Sequence, residues 1–181
     1  MSIALYSKRL KIRPLQMEDT AALFAYRSDA VTNQFQSWIP KSKEEVEAFI
    51  RKNPTEVNVP ESWFQVALVK QEDGQMIGDI GIHFKGSDNR QVELGCTLDK
   101  RFHGQGYASE GLNRVIQYLF EELDKHRIVA SIDPQNKPSM QLMERLDFRK
   151  EAHFVESLWI KGQWVDDIIY ALLQREWKKP S

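Results

Sequence analysis

Between Glu93 and Leu112 the chain reads ELGCTLDKRFHGQGYASEGL, a strand-like run that enters two closely spaced glycines, Gly104 and Gly106, and continues straight into a helical pattern. Glycines let main-chain N–H groups approach a ligand closely, and a helix start adds about half a positive charge and several unpaired donors. These are the parts of a diphosphate cradle, although a plain strand-to-helix turn uses the same residues. Neither standard nucleotide pattern fits: no Gly-Lys-Ser/Thr marks a P-loop, and no third glycine completes the dinucleotide fingerprint. An anionic ligand held without that chemistry is the functional reading that survives.

Other reactive residue types are sparse. Cys96 is the single cysteine, so the chain cannot form an intramolecular disulfide or a thiolate zinc site. With no His or Asp at suggestive local spacing, Cys96 reads as a small core thiol rather than a nucleophile. The four histidines, at 83, 103, 126 and 153, lack ligand spacing such as HExxH, and no metal is expected. Asn136, in DPQNKPS, reads locally as the cap of a helix starting at Pro138.

The elements that must position these residues follow from periodicity. Leu10, Ile12 and Leu15 suggest an early strand ended by Pro14, followed by a helix from about Glu18 to Ser28. Ser42 and Glu45 form a capping box ahead of the apolar stripe Val46, Phe49, Ile50. Residues 63–70 and 76–85 read as a hairpin turning at 72–75, and 91–98 as a strand with Val92, Leu94, Cys96 and Leu98 on one face and Glu93, Gly95 and Thr97 on the other. Ala108, Leu112, Val115, Ile116, Leu119, Phe120 and Leu123 recur at helical spacing. A strand at 127–132 and a helix from Pro138 to Leu146 complete a parallel crossover. From Arg149 a long hairpin turns at Lys161-Gly162, but periodicity alone leaves Ile168 to Leu173 open between strand and helix.

Composition bounds the partners. The chain has 181 residues, 41% apolar and 28% charged, enough for one good core and consistent with a single domain over 1–181. Charges balance within each half, 12 basic against 12 acidic before residue 91 and 13 against 14 after it, so no basic arm marks nucleic acid or an anionic membrane. No apolar run approaches the roughly 20 residues of a membrane span, and the early charges do not suit a signal peptide. A cytoplasmic protein is the expectation.

Three ordered blocks carry a family resemblance. The run from Asp99 to Ala108 resembles the acyl-CoA signature Q/R-x-x-G-x-G/A of the GNAT N-acetyltransferases, in the register His103, Gly106, Ala108 or the alternative Arg101, Gly104, Gly106. The first register keeps the family's strand-to-glycine spacing and puts His103 where Gln or Arg is usual. Asn136, Ser139, Leu142, Glu144 and Leu146-Asp147-Phe148 resemble the block N-x-x-S-x-x-L-x-E-x-L-G-F, with Asp147 in place of Gly. The closing segment, from Glu151-Ala152-His153 through KGQWVDDIIYALLQREW, resembles the final hairpin of the RimJ/RimL-like branch, which favours a strand at 164–173.

The resemblance implies an α+β, sandwich-like GNAT fold: a mixed, mostly antiparallel sheet of about seven strands, splayed between the fourth and fifth, with about four helices. It implies acetyl-CoA as co-substrate, its pantetheine arm bonded to main-chain groups of Cys96, Thr97 and Leu98, its diphosphate on Gly104, Gln105, Gly106, Tyr107, Ala108 and Ser109, and Asn136 bonded to the arm. It implies direct attack of a primary amine, from a protein N-terminus or a small molecule, on the thioester. The Glu/Tyr pair of some relatives is missing, since Ser131 and Met143 hold those positions. Ser139 is the candidate proton donor to the leaving thiolate and Glu93, just before the splay, the candidate base, with Glu156 and Asp166 as rivals. Phe35, Trp38 and Trp159 are candidate walls of the acceptor pocket. No nucleic-acid or membrane partner is implied, and a homodimer is left open. The replaced His103 and Asp147, with the missing Glu/Tyr pair, motivate an alternative, a catalytically weak or inactive acyl-CoA-binding module.

Overall fold

A computed structural model describes residues 3–179. Eight strands form one sheet: β1 (Leu5–Tyr6), β2 (Leu10–Pro14), β3 (Ser62–Lys70), β4 (Met76–Lys85), β5 (Gln91–Leu98), β6 (Arg127–Ile132), β7 (Arg149–Ile160) and β8 (Gln163–Leu173). Their order is β1-β2-β3-β4-β5-β6-β8-β7. The sheet thus has one strand more than expected, the two-residue β1, which was too short to leave a periodic signal. Ile168–Leu173 lies in β8, and β8 rather than β7 pairs with β6, Ile128 opposite Leu172. The hairpin's first strand therefore becomes the sheet edge.

Four helices cover the sheet: α1 (Thr20–Arg27), α2 (Lys43–Arg51), α3 (Tyr107–Gln117) and α4 (Lys137–Arg145). Side-chain caps mark the starts of α2 and α4. Ser42 Oγ accepts from the Glu45 N–H at 3.3 Å, but the Glu45 carboxylate reaches one residue further back than a capping box requires, accepting from the Lys41 N–H at 2.9 Å. Helix α3 continues through a wider turn over Tyr118–Glu122, and its stripe of Leu112, Val115, Ile116, Leu119 and Phe120 is buried. This stripe packs on Leu10, Ile12, Phe64, Val66 and Leu68. Gly111 makes the close approach possible, because a Cβ there would stand 2.9 Å from Leu68 Cδ2. A second cluster joins Leu23, Tyr26, Val46 and Ile50 to Ala67, Val69 and Met76. The alternation Val66, Leu68 against Ala67, Val69 assigns these clusters to opposite sheet faces.

Every strand pair is antiparallel except β5 and β6, which α3 connects as a crossover. These two are paired only over Gln91–Glu93 and Arg127–Val129. Beyond Glu93 they diverge, which leaves the β6-facing main chain of the second half of β5 without a strand partner. This split locates the site.

Candidate active site

The split opens into a cleft of about 690 Å³, lined by Cys96, Thr97 and Leu98 of β5, by Lys100, Phe102, His103, Gly104 and Gly106 of the following loop, the first turn of α3, the start of α4 and residues 31–36. The size suits an extended small molecule. Gly104 and Gly106 both adopt left-handed backbone, with φ of +72° and +80°, and Gly106 is the N-cap of α3. Tyr107, Ala108 and Ser109 supply the first N–H groups of that helix, which have no partner within it. A Cβ at Gly104 would meet nothing within 4 Å, so the cradle is open on that side. These features fit a diphosphate followed by an arm that runs along β5.

Of the positions expected to hold the cofactor, Cys96, Thr97, Leu98, Gly104, Gly106, Tyr107, Ala108, Ser109 and Asn136 line the cleft. Gln105 does not. Its side chain donates to the Arg101 carbonyl at 2.9 Å, and its own carbonyl accepts from Arg9 Nη1 at 3.1 Å. The Leu98 carbonyl is also engaged, 2.8 Å from His103 Nε2. A carbonyl can only accept, so Nε2 carries the hydrogen in this contact. His103 thereby fastens the loop back to β5.

Asn136 caps a helix, and its position leaves room for the role the resemblance implies. Its Oδ1 accepts from the Ser139 N–H at 3.3 Å and caps α4, while among the described residues its Nδ2 has no partner and remains free to donate. Ser139 lines the same wall. Burial, and then the charge of Asp79, push the Cys96 thiol up to about 12. A thiol held neutral in this way is a poor nucleophile, as its lack of a local base suggested.

The carboxylates are dispersed. Glu93 is outside the cleft lining, with its carboxylate 3.1 Å from Lys85 Nζ and 3.9 Å from His83 Nδ1. Asp166 lines a second cavity of about 100 Å³, which shares Gln34 and Phe35 with the main cleft. The Glu156 N–H and the His153 ring hold its carboxyl below the usual range. Glu156 lines neither cavity. Of the three aromatic candidates only Phe35 reaches the cleft. Trp38 stacks on Phe49 of α2 at 4.4 Å, and Trp159 packs against Trp164 at 5.2 Å, on the opposite hairpin face from Leu158 and Val165.

Two parts of the site carry no motif. The first is the wall at residues 31–36, held by Asn33 Nδ2 donating to the Tyr26 carbonyl, by Lys100 Nζ on Asp29 at 2.8 Å and by Lys161 Nζ on the Gln34 carbonyl at 2.8 Å. The second is Asp79, fully buried beside the cleft residue Thr97 on the same sheet face and bound by Tyr26 and Arg27. An Asp inside the apolar run MIGDIGIHF was the available signal for it.

The model of the acetyltransferase (GNAT) domain matches residues 9–149. The chain belongs to the GNAT acetyltransferase family. This GNAT chain is 31% identical to the uncharacterised N-acetyltransferase YnaD of Bacillus subtilis over 174 residues, 94% of this chain and 97% of that protein. It is 37% identical to the Escherichia coli [ribosomal protein uS5]-alanine N-acetyltransferase over 84 residues, 46% of this chain and 43% of that one. A GNAT-family acetyltransferase structure from Bacillus anthracis superposes with a TM-score of 0.87 at 26% identity, covering 96% of this chain and all of that one. The protein is thus an N-acetyltransferase that uses acetyl-CoA. Among the described residues no cluster of His, Cys, Asp or Glu could hold a metal, and no helix is long and apolar enough to cross a membrane.

Both departures from the GNAT pattern are accommodated. His103 is fastened to Leu98, and Asp147 adopts φ +62° just after the C-cap of α4, the left-handed position at which the family's Gly is free of strain. Asp147→Gly is therefore expected to stabilise the fold by about 1 kcal/mol, read as a higher urea midpoint at unchanged slope. A lower midpoint would mean that the Asp side chain stabilises the turn.

Proposed function

We propose that this GNAT enzyme acetylates a primary amine that enters beside residues 31–36 and meets the thioester at the split between β5 and β6. The carrying observation is the continuity of one cleft from the Gly104–Ser109 cradle, past Cys96–Leu98, to Asn136, Ser139 and Phe35. The amine nitrogen attacks the carbonyl carbon, the C–S bond breaks, the nitrogen loses a proton and the leaving sulfur gains one. At pH 7 deprotonating an N-terminal amine costs about 1.4 kcal/mol and a lysine amine about 4.6 kcal/mol. A protein N-terminus, the acceptor class named for the Escherichia coli relative, therefore needs the weaker base. A small-molecule amine is the other acceptor class. Proton removal is assigned to Glu93 acting through water at the foot of the split, with Asp166, across the wall formed by Gln34 and Phe35, as its rival.

Ser139 is assigned as proton donor to the departing sulfur. Its position on the α4 wall supports this, and no side-chain hydrogen bond occupies its hydroxyl among the described residues. A thiolate of ordinary pKa, about 8.5, leaves with only partial protonation, so the loss in Ser139→Ala should be about tenfold, below the roughly hundredfold or more usual for general acids. Release of CoA thiol across a panel of N-terminal peptides and small amines identifies the acceptor. With the best acceptor, Ser139→Ala should lower kcat and leave the KM for acetyl-CoA within twofold. A raised KM at unchanged kcat would make Ser139 a binding residue and overturn the assignment.

A further inference from the structure

Behind the cradle, on the side away from the cleft, lies a charged network that neither the family signature nor the cleft lining includes. Arg9, in the turn between β1 and β2, donates from its backbone N–H to Glu110 Oε1 and from Nε to Glu110 Oε2, each at 2.6 Å. Ser7 Oγ donates to Glu110 Oε1 at 2.7 Å. The same guanidinium donates from Nη1 to the Gln105 carbonyl at 3.1 Å and lies over the Tyr107 ring, 4.0 Å from its centre. Its Nη2 stands 3.5 Å from where a Cβ on Gly106 would be. One side chain thus touches residues 105 and 107, flanks 106 and neutralises 110. Arg9 is absent from the cleft lining, so it reaches the cradle from behind.

Two effects follow. The Gln105 carbonyl is an oxygen dipole in the middle of a loop that must present N–H groups to an anion, and the bond from Arg9 turns it away from the ligand. Glu110 lies in the first turn of α3, where an acidic side chain competes with a diphosphate for the positive helix end and repels it. Burial disfavours the charged carboxylate, but the bonds from Ser7 and Arg9 outweigh burial and hold its pKa below the usual value. Glu110 is therefore an anion beside an anion site, and Arg9 is its counter-ion.

We propose that Arg9 is a positioning residue for the diphosphate, holding the Gln105 carbonyl away from the cradle and masking the Glu110 charge. This inference rests on the cradle reading above. Binding of CoA and of pantetheine, which lacks the diphosphate, is measured by calorimetry on the wild type, Arg9→Met and Arg9→Met/Glu110→Gln. Arg9→Met is expected to raise the Kd for CoA at least tenfold and to leave that for pantetheine within twofold. The double variant, having lost the charge that needed masking, should recover at least threefold of the CoA loss. An unchanged CoA Kd in Arg9→Met, a parallel loss of both ligands, or equal losses in the single and double variants would each overturn the assignment. A wild-type chain that bound pantetheine as tightly as CoA would remove the cradle reading itself.

Discussion

Gly106→Val raises the Kd for CoA about a hundredfold while leaving the fold in place. Gly106 holds φ +80° at the N-cap of α3, a conformation that costs an L side chain about 1–2 kcal/mol, more when β-branched. Its Cβ would stand 3.5 Å from Arg9 Nη2, so the first atom fits and the valine methyls crowd the guanidinium. Relief by rotating φ turns the following amides, the donors of the cradle, away from the ligand. Loss of one hydrogen bond to a charged partner is worth about 1.5–3 kcal/mol. The upper end of that range, about 3 kcal/mol, is about two orders of magnitude in Kd. Gly104→Ala serves as comparison, since its Cβ meets nothing and only the backbone strain at φ +72° applies. A CoA Kd unchanged in Gly106→Val would place the diphosphate elsewhere.

Asp79→Ala should destabilise the fold by about 3–5 kcal/mol, because it leaves a buried guanidinium without its counter-charge. Asp79 is 0% exposed, and its carboxylate accepts from Tyr26 Oη at 2.6 Å, Arg27 Nε at 3.1 Å and Arg27 Nη2 at 2.6 Å. The exposed i,i+4 pair Glu47–Arg51 is the control, worth at most about 0.5 kcal/mol. The same change should loosen the acceptor wall, since Tyr26 and Arg27 end the helix from which residues 31–36 are suspended through Asn33. Urea unfolding of Asp79→Ala and Glu47→Ala measures the contrast. A difference below about 1 kcal/mol would show that Arg27 finds water once its partner is gone.

Much of this site was legible because its chemistry is local. The cradle is contiguous in sequence, and Gly104, Gly106 and the α3 stripe report its backbone conformation directly. Asn136 and Ser139 also share one helix start. The carboxylates were less legible. Glu93 sits at the foot of the split, but its ion pair with Lys85 arises from the opposition of β4 and β5, which position along one strand does not reveal. The aromatic wall was divided for the same reason: Trp38 belongs to α2 through Phe49, and strand parity turns Trp159 away from Leu158.

By itself the sequence determined seven of the eight strands, the four helices, the glycine turn at the start of α3 and the family, because these depend on periodicity, glycine placement and contiguous motifs. Tertiary structure alone decided which groups stand together from distant parts of the chain: Arg9 against Gln105 and Glu110, Asp79 beside Thr97, and residues 31–36 in one cleft with Asn136. It also placed β8 inside β7 and set where β5 and β6 part. Periodicity specifies which face of an element is apolar. Which polar groups meet across elements depends on sheet order and register, and those emerge only when the whole core packs.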